Sequence, residues 1–205
     1  MSVGLKTSSS EVKQIFLAWM GLTAGFTLLL GDPVRRSVPL ITLGTVFITS
    51  LVTAGLGFLL HELGHKVVAQ RYGYWAEFRA DYEMLAITVV SGAVGFLFAA
   101  PGAVMIQGRT AISARESGII SVAGPLVNLA LFGIFAVIKF FGITSGGVMG
   151  SVLEFGLFIN AFLAAFNMVP FGPLDGRKVI KWSKPVFVVV FGVGLALTGY
   201  VMFLQ

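Results

Sequence analysis

Both histidines of the chain lie in one pentapeptide, His61-Glu62-Leu63-Gly64-His65. Residues four apart on a helix share a face, so the two imidazoles can bind the same metal ion. Neutral imidazole nitrogens suit zinc, and Glu62 can take a proton from a zinc-activated water, as zinc-dependent hydrolases require. Two unrelated histidines around an acid also occur by chance. Here the motif ends an apolar run, where ionisable groups are costly, and this favours a functional site.

Composition indicates that the elements around this motif lie in a membrane. Of 205 residues, 57% are hydrophobic and only 11% are charged, whereas a soluble domain carries about 25% charged residues. The mean hydropathy is +0.94. We therefore expect a predominantly α-helical, polytopic membrane protein with a single domain over 1–205 and a core at about 38–180. The absence of cysteine excludes disulfides and thiolate metal sites.

The net charge of +5 does not indicate nucleic-acid binding, because the basic residues cluster in short loops between apolar runs. Lys6 and Lys13 precede the apolar stretch Ile15–Leu30, as in a signal peptide. No small-x-small cleavage site follows, so we interpret this stretch as a retained anchor.

Five apolar stretches approach or exceed the roughly 20 residues needed to cross a bilayer. They are 14–30, 38–65, 119–141, 148–171 and 186–204. A sixth region, 84–106, leaves the total at five to six transmembrane helices. Gly92, Gly95 and Pro101 interrupt it, and its pieces 86–90 and 103–106 are strand-like because they are rich in β-branched residues.

A zinc hydrolase with two histidines needs a third protein ligand and one open position. No further histidine exists, so the ligand must be one of the nine Asp and Glu residues. Asp175 stands out because prolines and glycines surround it, and an interrupted helix can aim a carboxylate inward. The other acids lie in charged loops, in the tail or, for Glu154, near the start of an apolar stretch.

These motifs resemble the site-2 protease family of intramembrane zinc metalloproteases, in its archaeal-type form without an inserted PDZ domain. The family pairs H-E-x-x-H with a later N-x-x-P-x-x-x-L-D-G, and this chain has both, at His61–His65 and Asn167–Gly176. Ala123–Asn128 is similar to the family's G-P-x-x-N element, and Phe98–Val104 looks like the archaeal branch.

The resemblance implies a role for each matched residue. One Zn²⁺ ion would be bound by His61, His65 and Asp175. Glu62 would be the general base. Asn167 and Asn128 would lie near the site and help hold the substrate backbone.

Membrane topology restricts the region 84–106. His65 and Asp175 each end a predicted span, so both ends must lie on one membrane face. This requires an odd number of crossings between the end of the first span and the start of the second. We therefore predict that 84–106 does not cross and instead forms a partly embedded β-hairpin or small sheet.

The positive-inside rule supports five crossings with the N-terminus inside. Eleven basic residues then lie inside and three outside, whereas six crossings would place six inside and eight outside. The active site then lies near the cytoplasmic face of the cell membrane. The inner residues are Lys6, Lys13, Lys66, Arg71, Arg79, Arg109, Arg115, Arg177, Lys178, Lys181 and Lys184, and the outer ones are Arg35, Arg36 and Lys139.

We expect an intramembrane zinc endopeptidase whose partners are the lipid bilayer and a transmembrane protein substrate, as in regulated intramembrane proteolysis. An exposed edge of the sheet is expected to hold the substrate by strand addition. The flanking helices 14–30 and 186–204 are candidates for a lateral gate. Asn160 is interpreted as a residue that forms an interhelical hydrogen bond. The alternatives are a catalytically silent metal-binding protein, which has no need of Glu62, and a metal transporter, although no internal repeat is present.

Overall fold

The computed structural model describes residues 5–108, 111–142 and 146–203, so Arg109, counted above as a cytoplasmic residue, lies outside the described residues. Within these ranges the helices are α1 (Ser9–Gly31), α2 (Leu40–Ser50), α3 (Leu56–Arg71), α4 (Tyr82–Val94), α5 (Ala114–Phe140), α6 (Gly147–Asn167), α7 (Asp175–Trp182) and α8 (Lys184–Phe203). A π-helical turn, Leu51–Gly55, joins α2 to α3, and the strands are β1 (Trp75–Ala80) and β2 (Gly102–Gln107).

Five helical segments of the described chain are long and apolar enough to cross a membrane, which confirms the predicted polytopic helical fold. They are Ser9–Gly31, Leu40–Arg71, Ala114–Phe140, Gly147–Asn167 and Lys184–Phe203. The apolar helix α4 has 13 residues. At 1.5 Å per residue it is about 20 Å long, which is too short for a hydrocarbon core of about 30 Å.

The π-helical turn connects the second span to α1. Such a turn shifts the helical hydrogen-bond pattern, and the Leu51 carbonyl accepts a hydrogen bond from Trp19 Nε1 at 2.9 Å. The Trp19 ring fills the space beside Gly55, where a Cβ would lie 2.5 Å from Trp19 Cδ1. The helix that carries the histidines is therefore fixed against the first span.

The two strands form the small sheet that the sequence predicts, but not from the pieces expected. β2 covers the predicted strand 103–106 and pairs antiparallel with β1, in a register that runs from Trp75↔Gln107 to Ala80↔Gly102. The predicted strand at 86–90 is wrong, because these residues lie in α4. The partner strand β1 carries Glu77 and Arg79, which the sequence analysis interpreted as part of a charged loop.

α4 is helical despite its β-branched residues because it packs closely on α1. Gly92 faces the backbone of Gly25 at a distance that leaves no room for a Cβ. Asp81 caps the start of the helix by accepting a hydrogen bond from Met84 N at 3.0 Å.

After α4 the chain turns back at Gly95, whose φ of +93° favours glycine. Thr88 Oγ1 donates to Phe98 O at 3.0 Å, and Ser91 Oγ accepts from Phe98 N at 3.0 Å. These bonds satisfy both backbone groups of Phe98 in the return segment. Such satisfaction is what permits irregular backbone at membrane depth.

The outer edge of β1 is closed by side chains of α1. Glu11 Oε1 accepts from Phe78 N at 2.9 Å, and Gln14 Oε1 accepts from Ala80 N at 3.0 Å. Glu11 also forms a fully buried ion pair with Lys66 of α3, with Lys66 Nζ 2.6 Å from Glu11 Oε2. The N-terminal half of α1 is thus bound to both the sheet and α3.

Candidate metal centre

Two helices and one loop bring His61, His65 and Asp175 together. The histidines lie one turn apart on α3, with ring centroids 4.7 Å apart. Asp175 Oδ2 lies 3.2 Å from His61 Nε2 and 3.1 Å from His65 Nε2. All three side chains are buried, and their donor atoms lie within 4.8 Å of one another, so this group can hold a metal ion.

The loop before Asp175 differs from the sequence prediction. The fourth span was expected to end at the aspartate, but α6 ends at Asn167 and Asp175 begins α7. Two prolines prevent the helix from continuing, and Gly172 has a φ of +60°. Gly176 lies against the carbonyl of Met168, which leaves no room for a side chain.

Apolar contacts hold α7 in this position. Met168 and Val179 are fully buried in a cluster with Val122 of α5 and two residues of α8, Phe187 and Val190. Burial by itself raises the pKa of Asp175. The charge and hydrogen bonds of His65 and His61 outweigh that effect and hold the pKa below its usual value, so this carboxyl is a carboxylate.

The second nitrogen of each imidazole is bonded to an oxygen. His61 Nδ1 lies 2.6 Å from Asn128 Oδ1, and His65 Nδ1 lies 2.8 Å from the carbonyl oxygen of Ile120. Both oxygens only accept hydrogen bonds, so each Nδ1 carries a proton. In the neutral imidazoles that bind a metal, each Nε2 then keeps its lone pair, and a cation would replace the proton that faces the Asp175 carboxylate. This donor set suits a divalent cation such as zinc.

Gly124 allows α5 to approach the imidazoles. A Cβ at this position would lie 2.5 Å from His61 Nε2 and 2.6 Å from His65 Cε1. The first position of the G-P-x-x-N element is therefore a glycine because any side chain there would clash with the imidazoles. The asparagine that ends this element is the one that bonds His61.

Glu62 lies beside the three donor residues, half-buried on α3. Its Oε2 accepts a hydrogen bond from Val104 N of β2 at 3.0 Å. A cavity of about 350 Å³ opens in front of these groups. Its lining includes His61, Glu62, His65, Val104, Ile106, Ser117, Asn167, Asp175 and Lys178.

The two asparagines named from the sequence occupy different places. Asn167 lines the cavity and donates from Nδ2 to Leu163 O at 3.0 Å. Asn128 is fully buried behind His61 and is not among the cavity residues. Its position suits a bond to the imidazole rather than to a substrate in the cavity.

Comparison with curated proteins found several relatives. The protein named "Putative zinc metalloprotease MJ0611" from Methanocaldococcus jannaschii is 43% identical over 161 residues, which cover 78% of this chain and 82% of that protein. "Putative zinc metalloprotease Rip3" from Mycobacterium tuberculosis is 32% identical over 70% of this chain, and "Putative zinc metalloprotease sll0528" from Synechocystis is 33% identical over 80%. The matched segment covers 34% and 39% of those two proteins. No protein-family model and no solved structure matches the chain.

The chain belongs to the site-2 protease family. It is therefore a zinc metallopeptidase of the membrane, with zinc as its cofactor. In this site-2 protease the donor set described above is the one cluster of the described residues in which three metal-ligating side chains converge.

Several groups that shape the site in this site-2 protease were missed by the sequence analysis. The Ile120 carbonyl and the Val104 N–H are backbone groups and leave no signal in the sequence. The Glu11–Lys66 pair was also missed, because Glu11 was interpreted as part of the tail and Lys66 as a loop charge. A lysine that directly follows His65 within the same helix was the available signal.

Proposed function

We propose that this protein hydrolyses a peptide bond within or near the transmembrane segments of membrane-protein substrates. His61, His65 and Asp175 hold one zinc ion, and Glu62 is the general base. The observation that carries this proposal is the convergence of three metal-ligating groups beside a glutamate, in a cavity between spans. When bound, zinc supplies Lewis acidity toward a water and the substrate carbonyl.

Glu62 moves the proton in this reaction. One of its oxygens, Oε2, is held by the Val104 N–H, and this bond orients the carboxylate of a residue that lines the cavity. It takes a proton from the attacking water as the carbon–oxygen bond forms. It then gives a proton to the leaving nitrogen as the peptide bond breaks.

The free edge of β2 is the proposed binding site for the substrate backbone. Phe78 donates its N–H to Glu11, away from β2, so its register partner Val104 also directs its backbone groups away from β1. The N–H and C=O of Ile106, two residues further on, point the same way. An extended substrate can pair with this edge beside Glu62.

Ile106→Pro tests this pairing. It removes an outward N–H without touching the Val104–Glu62 bond, and proline is tolerated on a free strand edge. We expect cleavage to fall while zinc stays bound. Ile106→Ala, which keeps the N–H, is the matched control. Cleavage by Ile106→Pro at the rate of this control would refute the role of the edge.

Asn167, which lines the cavity, is proposed to contact the substrate, and Asn128 to orient His61 instead. Asn167→Ala is then expected to raise KM or lower kcat with zinc retained. Asn128→Ala is expected to weaken zinc binding as well.

The proposed location is the cell membrane, with the cavity toward the cytoplasm. The chain has no cysteine, so single cysteines at Ser113, before α5, and at Ser37, between α1 and α2, report the two faces. A membrane-impermeant maleimide should label Ser37→Cys from outside intact cells and Ser113→Cys only in inverted vesicles. The opposite pattern would place the cavity outside.

A substrate must reach the cavity from the lipid. The hydrogen bonds of Glu11 and Gln14 hold the N-terminal half of α1 to the sheet. We therefore propose that α8, of the two flanking helices, is the one that moves. A disulfide or crosslink between α8 and α6 should then slow cleavage more than one between α1 and α4.

Two variants test the function directly, in proteoliposomes with a transmembrane reporter substrate. Glu62→Gln should abolish cleavage and keep zinc, and Asp175→Ala should lose zinc. Glu83→Gln, at an exposed acid on α4, is the control and should do neither. Cleavage that persists in Glu62→Gln would refute the role of Glu62 as the general base. A zinc protein without cleavage would instead be the silent metal-binding protein.

A further inference from the structure

Behind His61, on the side away from the cavity, lie two fully buried asparagines, Asn128 of α5 and Asn160 of α6. Both are within spans, about 20 Å from the start of α5 and about 10 Å from the end of α6 at 1.5 Å per residue. An unsatisfied polar group at such depth costs several kcal/mol. We therefore expect the polar atoms of both amides to have hydrogen-bond partners.

The direction of every bond in this group follows from one helix carbonyl. Asn160 Nδ2 donates to Gly156 O at 2.9 Å, so Asn160 Oδ1 is the atom that faces α5. Oδ1 accepts from Asn128 Nδ2 at 3.0 Å, and the other Asn128 Nδ2 proton goes to Gly57 O at 3.1 Å. Gly156 O, Asn160 Oδ1 and Gly57 O are all acceptors, which settles the orientation of both amides.

The remaining atom of Asn128 is its Oδ1, which lies 2.6 Å from His61 Nδ1. An amide oxygen only accepts, so Nδ1 carries a proton, and in the neutral ring that binds a metal the lone pair then lies on Nε2. Nε2 is the nitrogen that faces Asp175 at 3.2 Å. A proton on Nε2 instead would leave two lone pairs facing each other across the 2.6 Å contact.

We propose that Asn160 is a positioning residue for the metal centre. It holds the amide of Asn128 in the orientation that keeps His61 in its metal-binding tautomer. This inference rests on the proposed role of His61 as a ligand. It extends the interpretation of Asn160 as an interhelical hydrogen-bonding residue, which its bond to Asn128 of α5 bears out.

Three variants and a control separate these roles. Asn160→Leu removes the acceptor and should weaken zinc affinity about fivefold, the equivalent of one neutral hydrogen bond. Asn160→Asp, neutral at this depth, can accept from Asn128 and donate to Gly156 O, so it should restore affinity. Thr53→Val removes a buried hydroxyl that bonds only its own helix, through Thr49 O, and should have no effect. His61→Ala should lose zinc.

Zinc affinity is measured by competition with a chromogenic chelator in detergent. The tautomer is measured separately, by ¹⁵N NMR of histidine-labelled, metal-free protein at alkaline pH. With two histidines in the chain, four ring nitrogens give the whole spectrum. His65 is an internal reference because its Nδ1 bonds the Ile120 carbonyl, which Asn160→Leu leaves in place.

The expected spectrum has both Nδ1 atoms protonated in the wild type and a partial shift of the proton to Nε2 of His61 alone in Asn160→Leu. Zinc affinity and a His61 spectrum unchanged in Asn160→Leu would overturn the positioning role. If Asn160→Leu does not fold, the wild-type spectrum still decides, since a neutral His61 with its proton on Nε2 and none on Nδ1 would overturn the proposal. Zinc affinity unchanged in His61→Ala would instead refute the proposed function.

Discussion

Replacing Gly124 with alanine adds one methyl group to α5 at the point where this helix meets the imidazoles. The new Cβ would lie 2.5 Å from His61 Nε2, whereas an ordinary contact begins at about 3.4 Å. The helices must therefore separate, or the imidazoles must rotate, by about 0.9 Å. Metal–ligand distances tolerate only about 0.2 Å.

We expect Gly124→Ala to weaken zinc binding by about 10- to 100-fold, the range seen when the surroundings of a ligand are disturbed. Overpacking should also lower the free energy of unfolding by about 1–3 kcal/mol. Gly133→Ala is the matched control, since it lies on the same helix and its Cβ would meet nothing within 4 Å. That variant should be neutral or up to about 1 kcal/mol more stable, because alanine is the better helix former.

The assay is chelator competition for zinc, with thermal unfolding and cleavage of a transmembrane reporter measured on the same preparations. Zinc affinity and cleavage in Gly124→Ala equal to those of Gly133→Ala would refute the reasoning. That result would mean that α5 does not limit the position of the imidazoles. A loss of stability with unchanged zinc affinity would show that the strain is relieved elsewhere.

The remaining predictions concern the ion pair, the approach to Asp175 and pH. Lys66→Met leaves the buried Glu11 unpaired and should cost about 3–5 kcal/mol of unfolding free energy. The double variant Lys66→Met with Glu11→Leu should recover part of this loss. Equal losses of stability in the single and double variants, measured by thermal unfolding, would contradict the pairing. Gly176→Ala places a Cβ against the Met168 carbonyl, so zinc should be lost on dialysis, whereas Gly192→Ala, with open space around it, should retain zinc. Protons compete with the metal for imidazole and carboxylate, so zinc affinity should fall as pH falls, and Glu62→Gln should follow the same curve if that residue is not a ligand.

The metal ligands were predictable because two of them are close in sequence and because the chain offers few alternatives for the third. His61 and His65 are separated by one helical turn, so their common face follows from helix geometry alone. Asp175 followed from the shortage of other ligands and from the prolines around it. The five crossings followed from hydropathy together with the need to bring His65 and Asp175 to one face.

The sheet was less predictable because tertiary contacts decide it. Residues 86–90 have strand-like composition, but the close approach of Gly92 to Gly25 favours a helix packed on α1. β1 contains Glu77 and Arg79, and such charges are typical of a loop. The strand forms there because β2 pairs with one of its edges and the side chains of α1 bond the other.

The role of Asn128 was also beyond the sequence. Its motif indicated proximity to the site, which the structure has, but not the side of His61 on which it lies. That depends on the rotation of α5, which Gly124 sets by allowing one face of the helix to touch both imidazoles. The G-P-x-x-N element therefore combines a glycine that leaves space for the imidazoles with an asparagine that bonds His61.

One face of α3 fixes the sheet from both of its edges. Glu62 and Lys66 are four residues apart on this face; Glu62 accepts from Val104 N, and Lys66 holds the Glu11 that accepts from Phe78 N. Phe78 and Val104 are directly paired in the sheet. A buried ion pair is often no more stable than an apolar one of the same volume. An apolar pair, however, would leave the Phe78 N–H without an acceptor, so the ion pair keeps β2 in register with the base that it orients.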